Sequence, residues 1–147
     1  MNRTSAYAAA ALLAAVCWTA RAEQSRTFGD YTVHYSAFTT DLLSPDVAKS
    51  YRIQRSKSRA LLNISVLRKV MGTTGQPVRA AVKATATNLN AQLRELRVRE
   101  LEDHGAIYYL AETGIGNGET LKYSVRVLPE GETTPLEFTF DQQFFTD

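Results

Sequence analysis

Apolar side chains occupy every second position over most of the chain beyond residue 30. The alternation is clear in six segments: residues 31–37, 62–66, 78–86, 107–111, 121–127 and 136–140. Successive side chains of a β-strand point to opposite faces of its sheet, so each segment predicts a strand with one buried face. Val, Tyr, Phe and Thr, which favour strands, are frequent in these segments. The pattern therefore predicts an all-β domain.

Turn-forming residues separate the predicted strands. Gly72, residues 75–77, His104-Gly105 and residues 129–135 each interrupt an apolar alternation. Asn117-Gly118 predicts a tight type I′ hairpin, because that turn needs positive φ at both central residues. Short strands at this spacing, with almost no helical pattern, predict a sandwich of two antiparallel sheets with about seven strands.

Two stretches depart from simple alternation. Between residues 93 and 101 the apolar positions change parity, which fits either a bulged strand or a helix capped by Asn88. The strand is favoured, because strands are predicted on both sides. The long connection between residues 39 and 59 contains Ser44-Pro45-Asp46. A capping side chain, a proline at the first helical position and an early acid predict a short helix there.

The amino terminus has the features of a secretory signal. Arg3 precedes an apolar run at residues 8–18, and Ala20-Arg21-Ala22 offers the small residues that signal peptidase recognises. The run is too short for a membrane-spanning helix, which needs about 20 residues. We therefore expect residues 1–22 to be a signal peptide cleaved after Ala22, and residues 23–147 to form one exported domain.

Cysteine usage and charge narrow the possible chemistry. The single cysteine, Cys17, lies in the predicted signal peptide, so the mature chain would have neither a disulfide nor a thiol nucleophile. Residues 23–99 hold 13 Lys and Arg but 5 Asp and Glu, whereas residues 100–147 hold 2 and 10. We expect these opposite charges to pair between neighbouring strands.

Few residues suggest catalysis. His34 and His104 are the only histidines, and they lack the spacing of metal ligands, so we expect no metal or cofactor. A pair of carboxylates of the glycosidase kind would require two acids at a set separation across a cleft. The acids considered for such a pair are Glu100, Glu102, Asp103 and Glu112. They define the alternative function, a carboxylate-dependent hydrolase acting on a glycan of the cell envelope.

A basic segment is the strongest candidate for recognition. Residues 49–59 contain no acid and five cations, Lys49, Arg52, Arg55, Lys57 and Arg59. The last three alternate and would share one face of an extended chain. Such a segment could bind an acidic protein surface, an anionic lipid or a polyanionic glycan, or it could be a solvated loop that pairs with the acidic half. We treat these five residues, with His34, as the candidate partner-binding site.

Several segments of the mature chain carry a family resemblance. In order they are FGDYTVHYSAF, RSKSRALLNISVL, ATATNL, GAIYYLAE and FDQQFF. They are similar to a family of small exported proteobacterial proteins, the domain of unknown function DUF4426. The resemblance implies a periplasmic location and an immunoglobulin-like sandwich, and it implies no activity.

These observations predict a non-enzymatic periplasmic module that binds another envelope protein or an anionic ligand. Recognition could use the basic segment or the addition of a partner strand to a sheet edge. A nucleic-acid partner is not expected outside the cytoplasm, and the oligomeric state stays open.

Overall fold

The computed structural model of the protein describes residues 24–147. The predicted signal peptide at residues 1–22, its cleavage after Ala22, and Cys17 lie outside the described residues. Within residues 24–147, no helix is long and apolar enough to cross a membrane.

Ten strands in the described chain form two antiparallel sheets. The first sheet contains β1 (Gln24–Phe28), β2 (Tyr31–Thr39), β3 (Arg59–Arg68), β4 (Gln76–Pro77), β7 (Arg99–Asp103) and β8 (Ala106–Gly114). Its order is β1-β2-β3-β8-β7, and β4 pairs with the end of β3. The second sheet contains β5 (Ala80–Thr87), β6 (Leu93–Glu95), β9 (Thr120–Pro129) and β10 (Leu136–Gln143), in the order β10-β9-β5-β6.

The strand order confirms the predicted immunoglobulin-like sandwich. Strands β2, β3, β8 and β7 take the places of A, B, E and D in an immunoglobulin domain, and β10, β9 and β5 take those of G, F and C. The strand count exceeds the predicted seven because β1, β4 and β6 are additional short strands.

The main core lies between the two sheets. The alternating apolar positions face it as predicted, and its buried members include Val33, Tyr35, Ala37, Leu62, Ile64, Val66, Ala84, Ala86, Ile107, Tyr109, Ala111, Leu121, Tyr123, Val125, Val127 and Phe138. Burying one large apolar side chain contributes about 1.5–3 kcal/mol, so these inner faces supply most of the driving force for folding.

A second apolar cluster covers part of the outer face of the first sheet. Leu61 of β3 and Leu110 of β8 are buried there beneath Ile53. These positions point away from the main core, so alternation alone does not predict their burial. They are covered by the connection between β2 and β3 (residues 40–58), which contains a 3-10 turn (Thr40–Leu42) and the helix α1 (Pro45–Ser50).

Helix α1 begins as the sequence predicts. Ser44 is its N-cap, and the Ser44 Oγ accepts a hydrogen bond from the Val47 backbone N–H at 3.2 Å. Pro45 occupies the first turn, where its missing N–H leaves no intrahelical bond unmade. Ala48 turns inward and is 3% exposed.

The parity change at residues 93–101 has a topological cause. Strand β6 pairs with β5 in the second sheet, whereas β7 pairs with β8 in the first. The chain crosses from one sheet to the other between Glu95 and Arg99, so its apolar side chains must change phase to keep facing the core. The helical interpretation is wrong, and the single bulged strand is in fact two short strands.

The predicted hairpin at Asn117-Gly118 is wrong. Strands β8 and β9 belong to different sheets, and Gly118 has positive φ (73°) whereas Asn117 does not. The tight turn with two positive φ values lies instead at His104-Gly105 (48° and 83°), where it joins β7 to β8. Asn-Gly is a local signal for a turn, and the partner sheet of the next strand decides whether that turn closes a hairpin.

Candidate functional site

Thr40 closes the base of the β2–β3 connection. Its side chain is fully buried, and its Oγ1 accepts a hydrogen bond from the Ser56 N–H at 2.8 Å. The same hydroxyl donates to Gln54 O at 2.8 Å, with Ser56 O at 3.1 Å as a second acceptor. Because both ends of the connection are tied to one buried hydroxyl, residues 41–55 form a compact loop of the Ω type.

Arg55, at the end of this loop, is bonded to the backbone at the start of the loop. Its Nε donates to Leu43 O at 2.8 Å, and its Nη2 donates to Asp41 O at 3.0 Å. Charge-assisted hydrogen bonds are stronger than neutral ones, so the guanidinium holds the 3-10 turn and its C-cap residue against the end of the loop. Arg55 therefore maintains the shape of the loop, a role that its place in a basic segment does not indicate.

Tyr51 fastens the loop to the first sheet. Its hydroxyl donates to Asp103 Oδ2 at 3.0 Å, and Arg99 Nη2 donates to Tyr51 O. Burial raises the pKa of the Tyr51 phenol, and the hydrogen bond to Asp103 raises it further. These contacts connect the loop to β7, so the cations that it carries are held in place relative to the sandwich.

Three of the five predicted cations are available to a partner. Lys49, Arg52 and Lys57 are exposed, and they make no ion pair or side-chain hydrogen bond with residues 24–147. Arg52 has φ of 55° just after α1, which places it in the left-handed conformation common at helix ends. Unpaired surface cations keep their full attraction for an anionic partner.

Arg59 is paired with an acid, and the face that Arg55, Lys57 and Arg59 were expected to share is not formed. Arg59 starts β3, and its Nε lies 3.5 Å from Glu112 Oε1 on β8. Lys57 and Ser58 form a turn, so the chain is not extended from residue 55 to residue 59. The expectation that Arg55, Lys57 and Arg59 share one face rests on an extended chain and therefore does not apply.

His34 lies apart from the basic loop. It is on the outer face of β2, opposite Ser25 of β1 and Ser65 of β3. It lines a depression of about 350 Å³ with Ser65, Pro77 and Tyr108 among the other lining residues. Five residues of strand separate His34 from the end of β2, roughly 17 Å at about 3.3 Å per residue. The structure therefore does not bring His34 together with the cations.

Three of the four acids considered for hydrolysis, Glu100, Glu102 and Glu112, are engaged by arginines, and Asp103 contacts Tyr51 and His104. Arg79 Nη1 lies 2.7 Å from Glu100 Oε2, and its Nη2 lies 2.9 Å from Glu102 Oε2. The Tyr109 hydroxyl donates to Glu100 Oε1 at 3.0 Å and accepts from the Ala80 N–H at 2.8 Å. The hydrogen bond to Glu102 is the main cause of a raised pKa of Arg79, and the negative charge of Glu100 raises this pKa further. This network joins the two sheets, and the sequence alone did not indicate it.

Opposite charges from the two halves of the mature chain pair at several points, and of these pairs Arg59 and Glu112 lie on neighbouring strands of one sheet as expected. Besides Arg79, Arg59 pairs with Glu112, and Arg94 Nη1 pairs with Glu119 Oε1 at 3.2 Å. Each pair joins a cation from residues 23–99 to an acid from residues 100–147. A carboxylate held by an arginine is a poor general acid, so this pairing gives the hydrolase alternative no support.

The described residues contain no group of three or more His, Cys, Asp and Glu side chains that could hold a metal ion. The His104 side chain is 96% exposed, and its Nδ1 contacts Asp103 Oδ1 at 2.6 Å. His34 and His104 lie on different elements and share no ligand cluster.

The fold and the loop define a small immunoglobulin-like β-sandwich with cations displayed on a fixed loop. The chain belongs to the DUF4426 family, a domain of unknown function whose model matches residues 25–147. The resemblance seen in the sequence is therefore confirmed. A crystal structure of a DUF4426 family protein from Pseudomonas aeruginosa PAO1 is similar, with 35% identity and a TM-score of 0.75. The match covers 86% of this chain and 98% of that one.

More distant structures share the fold. FetP of uropathogenic Escherichia coli strain F11 has 10% identity and a TM-score of 0.58, over 84% of this chain and 94% of its own. A copper-bound variant of P19 from Campylobacter jejuni has 7% identity and a TM-score of 0.52, over 83% and 94%. No curated protein sequence matches the chain.

Copper does not transfer from P19 to this chain. At 7% identity the likeness shows the fold alone, and fold does not determine function. The copper of the P19 variant is therefore a property of that protein and is not carried over to this chain.

Proposed function

We propose that the protein is a non-enzymatic binding module of the bacterial periplasm that recognises an anionic surface on another envelope protein or ligand. The observation that carries the proposal is the display of Lys49, Arg52 and Lys57, exposed and without side-chain partners in the described chain, on a loop pinned by Thr40 and Arg55. The DUF4426 family brings no activity that would favour an enzyme.

A pinned loop is suited to recognition for an entropic reason. Ordering a mobile segment on binding costs conformational free energy, and a loop already held in its final shape avoids much of that cost. The exposed cations then attract an anionic partner and orient it during encounter. Arg55 and Arg59 serve the loop and the sheet, so the recognition surface is smaller than the basic segment.

A periplasmic location is supported by two observations. Residues 1–22 have the pattern of a secretory signal. The fold resembles FetP, which was recombinantly expressed in the periplasm of Escherichia coli BL21(DE3). The test is the mass of the protein recovered from the periplasmic fraction, which should correspond to a chain beginning at Glu23.

The binding proposal is tested by changing Lys49, Arg52 and Lys57 together to glutamine and cross-linking the variant in intact cells. We expect the wild type to capture a specific envelope partner and the variant to lose it while keeping its fold. Capture by the wild type should weaken with added salt, because exposed charges are screened beyond about 10 Å at 0.1 M salt.

The matched control changes Lys69, Lys83 and Lys122 to glutamine. These cations are also exposed and make no side-chain contact with residues 24–147. Lys69 follows the far end of β3, and Lys83 and Lys122 lie on the outer face of the second sheet, away from the basic loop. The control loses the same charge and should still capture the partner. Equal capture by both variants would overturn the assignment to the loop. Turnover of cell-wall fragments that depends on Glu100 or Glu112 would overturn the non-enzymatic reading.

A further inference from the structure

The end of the sandwich opposite the basic loop is concave. Three depressions there surround the segment from Leu67 to Arg79, with volumes of about 350, 300 and 500 Å³. The segment connects β3 to β5 and so corresponds to the B–C loop of an immunoglobulin domain, and the β9–β10 loop corresponds to F–G. In antibody variable domains these loops lie at the antigen-binding end. Because function is not inherited with the fold, a binding site at this end has to be inferred from its own residues.

The largest of the three cavities has charged walls. It is lined by Tyr31, Arg68, Pro77, Val78, Arg79, Glu102, Gly105, Ile107 and Glu130. Arg79 forms ion pairs with Glu102 at 2.9 Å and with Glu100 at 2.7 Å, so these three charges are already engaged with one another. Tyr31 donates its hydroxyl to Glu132 Oε1 at 3.0 Å, so this side chain is also engaged.

The remaining charges, Arg68 and Glu130, do not satisfy each other. Arg68 makes a long contact of 3.5 Å to the neutral Gln76 Oε1 and also interacts with the Tyr31 phenol, but it has no carboxylate partner in an ion pair among the described residues. The Glu130 carboxylate has no partner among residues 24–147. No ion pair joins Arg68 to Glu130 within the described chain, so their charged atoms are more than 4.0 Å apart. One cavity thus presents a cation and an anion with space between them.

We propose that this cavity binds a small zwitterion, an α-amino acid or a short peptide, with its carboxylate on Arg68 and its ammonium group on Glu130. A guanidinium can bind a carboxylate through two parallel hydrogen bonds. A simple anion would meet Glu130 and Glu132, and a simple cation would meet Arg68. The volume of about 500 Å³ is in the range of small-ligand sites.

This site is independent of the proposed basic-loop contact. Strand β3 runs from Arg59 beside the basic loop to Arg68 in the cavity, a separation of roughly 30 Å at about 3.3 Å per residue. A module with one surface at each end could bind a small ligand and a larger partner at the same time. Loss of one site should leave the other intact.

The test is a titration of the mature protein with glycine, L-alanine and the dipeptide L-alanyl-L-alanine, followed by amide NMR shifts. We expect saturable shifts confined to the neighbourhood of Arg68 and Glu130. Acetate and methylammonium, which carry one charge each, should bind at least about tenfold more weakly, a difference of about 1.4 kcal/mol. Tighter binding of alanine would identify a free amino acid as the ligand class, and tighter binding of the dipeptide would identify a peptide.

The variants Arg68→Gln and Glu130→Gln should each weaken zwitterion binding by about tenfold or more. Both side chains are exposed, so the variants should fold normally. The control Lys83→Gln, on the outer face of the second sheet, should bind as the wild type does. The proposal is overturned if acetate binds as tightly as glycine, if neither variant changes the titration, or if no zwitterion gives saturable shifts.

Discussion

The protein has two buried tyrosines whose hydroxyl groups differ in hydrogen bonding, so removing each hydroxyl tests what the hydrogen bonds contribute to stability. Tyr109 and Tyr123 are 3% and 0% exposed. The Tyr109 hydroxyl accepts from the Ala80 N–H and donates to Glu100, and it thereby links β8 to the start of β5. The Tyr123 hydroxyl is buried and has no hydrogen-bond partner in the described structure. Replacing each with phenylalanine removes one oxygen and leaves the ring in place.

The two substitutions should change stability in opposite directions. Tyr109→Phe leaves the Ala80 N–H without its acceptor and removes one donor from Glu100, which should cost about 1–3 kcal/mol. Tyr123→Phe removes a hydroxyl whose burial is not compensated by a hydrogen bond, so it should be neutral or stabilise the fold by about 1 kcal/mol. The stacking of ring 123 on Phe140, at 5.0 Å between centroids, is retained. The two variants should therefore differ by about 1–4 kcal/mol.

Equilibrium unfolding in urea measures the difference. Each variant should shift the midpoint without changing the m-value, because the surface exposed on unfolding is nearly the same. If Tyr123→Phe lowers the free energy of unfolding by more than about 1 kcal/mol, its hydroxyl has a partner such as a buried water, and the reasoning from an unpaired group is refuted. If Tyr109→Phe is neutral, the link between the sheets does not contribute to stability.

Three further outcomes follow from single contacts. Thr40→Val should lower the free energy of unfolding by about 1–3 kcal/mol and speed amide exchange in residues 41–55, because the Ser56 N–H loses its buried acceptor. Unchanged exchange would contradict the role of Thr40 in closing the loop. His104→Asn should raise the thermal unfolding midpoint slightly, because Asn adopts the positive φ of 48° more readily than His. A lower midpoint would show that the lost contact with Asp103 matters more than the easier backbone conformation. Burial raises the pKa of Tyr123, so this group does not change the free energy of unfolding with pH below about pH 10 and lowers it above that pH, where the unfolded phenol ionises and the folded one stays neutral. Urea midpoints measured from pH 8 to 11 should therefore fall less steeply for Tyr123→Phe than for the wild type.

The alternation of the sequence was sufficient to assign the faces of the main strands. In β9, Leu121, Tyr123, Val125 and Val127 are buried while the residues between them are exposed, as the period of two requires. The N-cap Ser44 and Pro45 at the first position of α1 predicted the start of the helix equally directly, because the hydrogen bond of Ser44 to the Val47 N–H is made within four residues. Signals that act over such short distances can be read without the rest of the molecule.

Features that depend on the partner strand could not be read in this way. Asn117-Gly118 looks like a hairpin, but the next strand joins the other sheet. The parity change before Arg99 looked like a bulge or a helix, but it marks a crossing between sheets. The pattern of one segment records which of its faces is buried and contains no information about which strand lies beside it.

The sequence by itself determined the all-β class, the short helix, the family and the presence of a basic segment. The tertiary structure decided which of those cations are used internally. Arg55 bonds backbone carbonyls and Arg59 meets Glu112, whereas Lys49, Arg52 and Lys57 stay exposed. The physical reason is that a charge acts on whatever the fold places within a few ångströms of it, and those neighbours come from distant parts of the chain. Arg68 and Glu130 likewise become one site because the turns at the same end of the two sheets meet there.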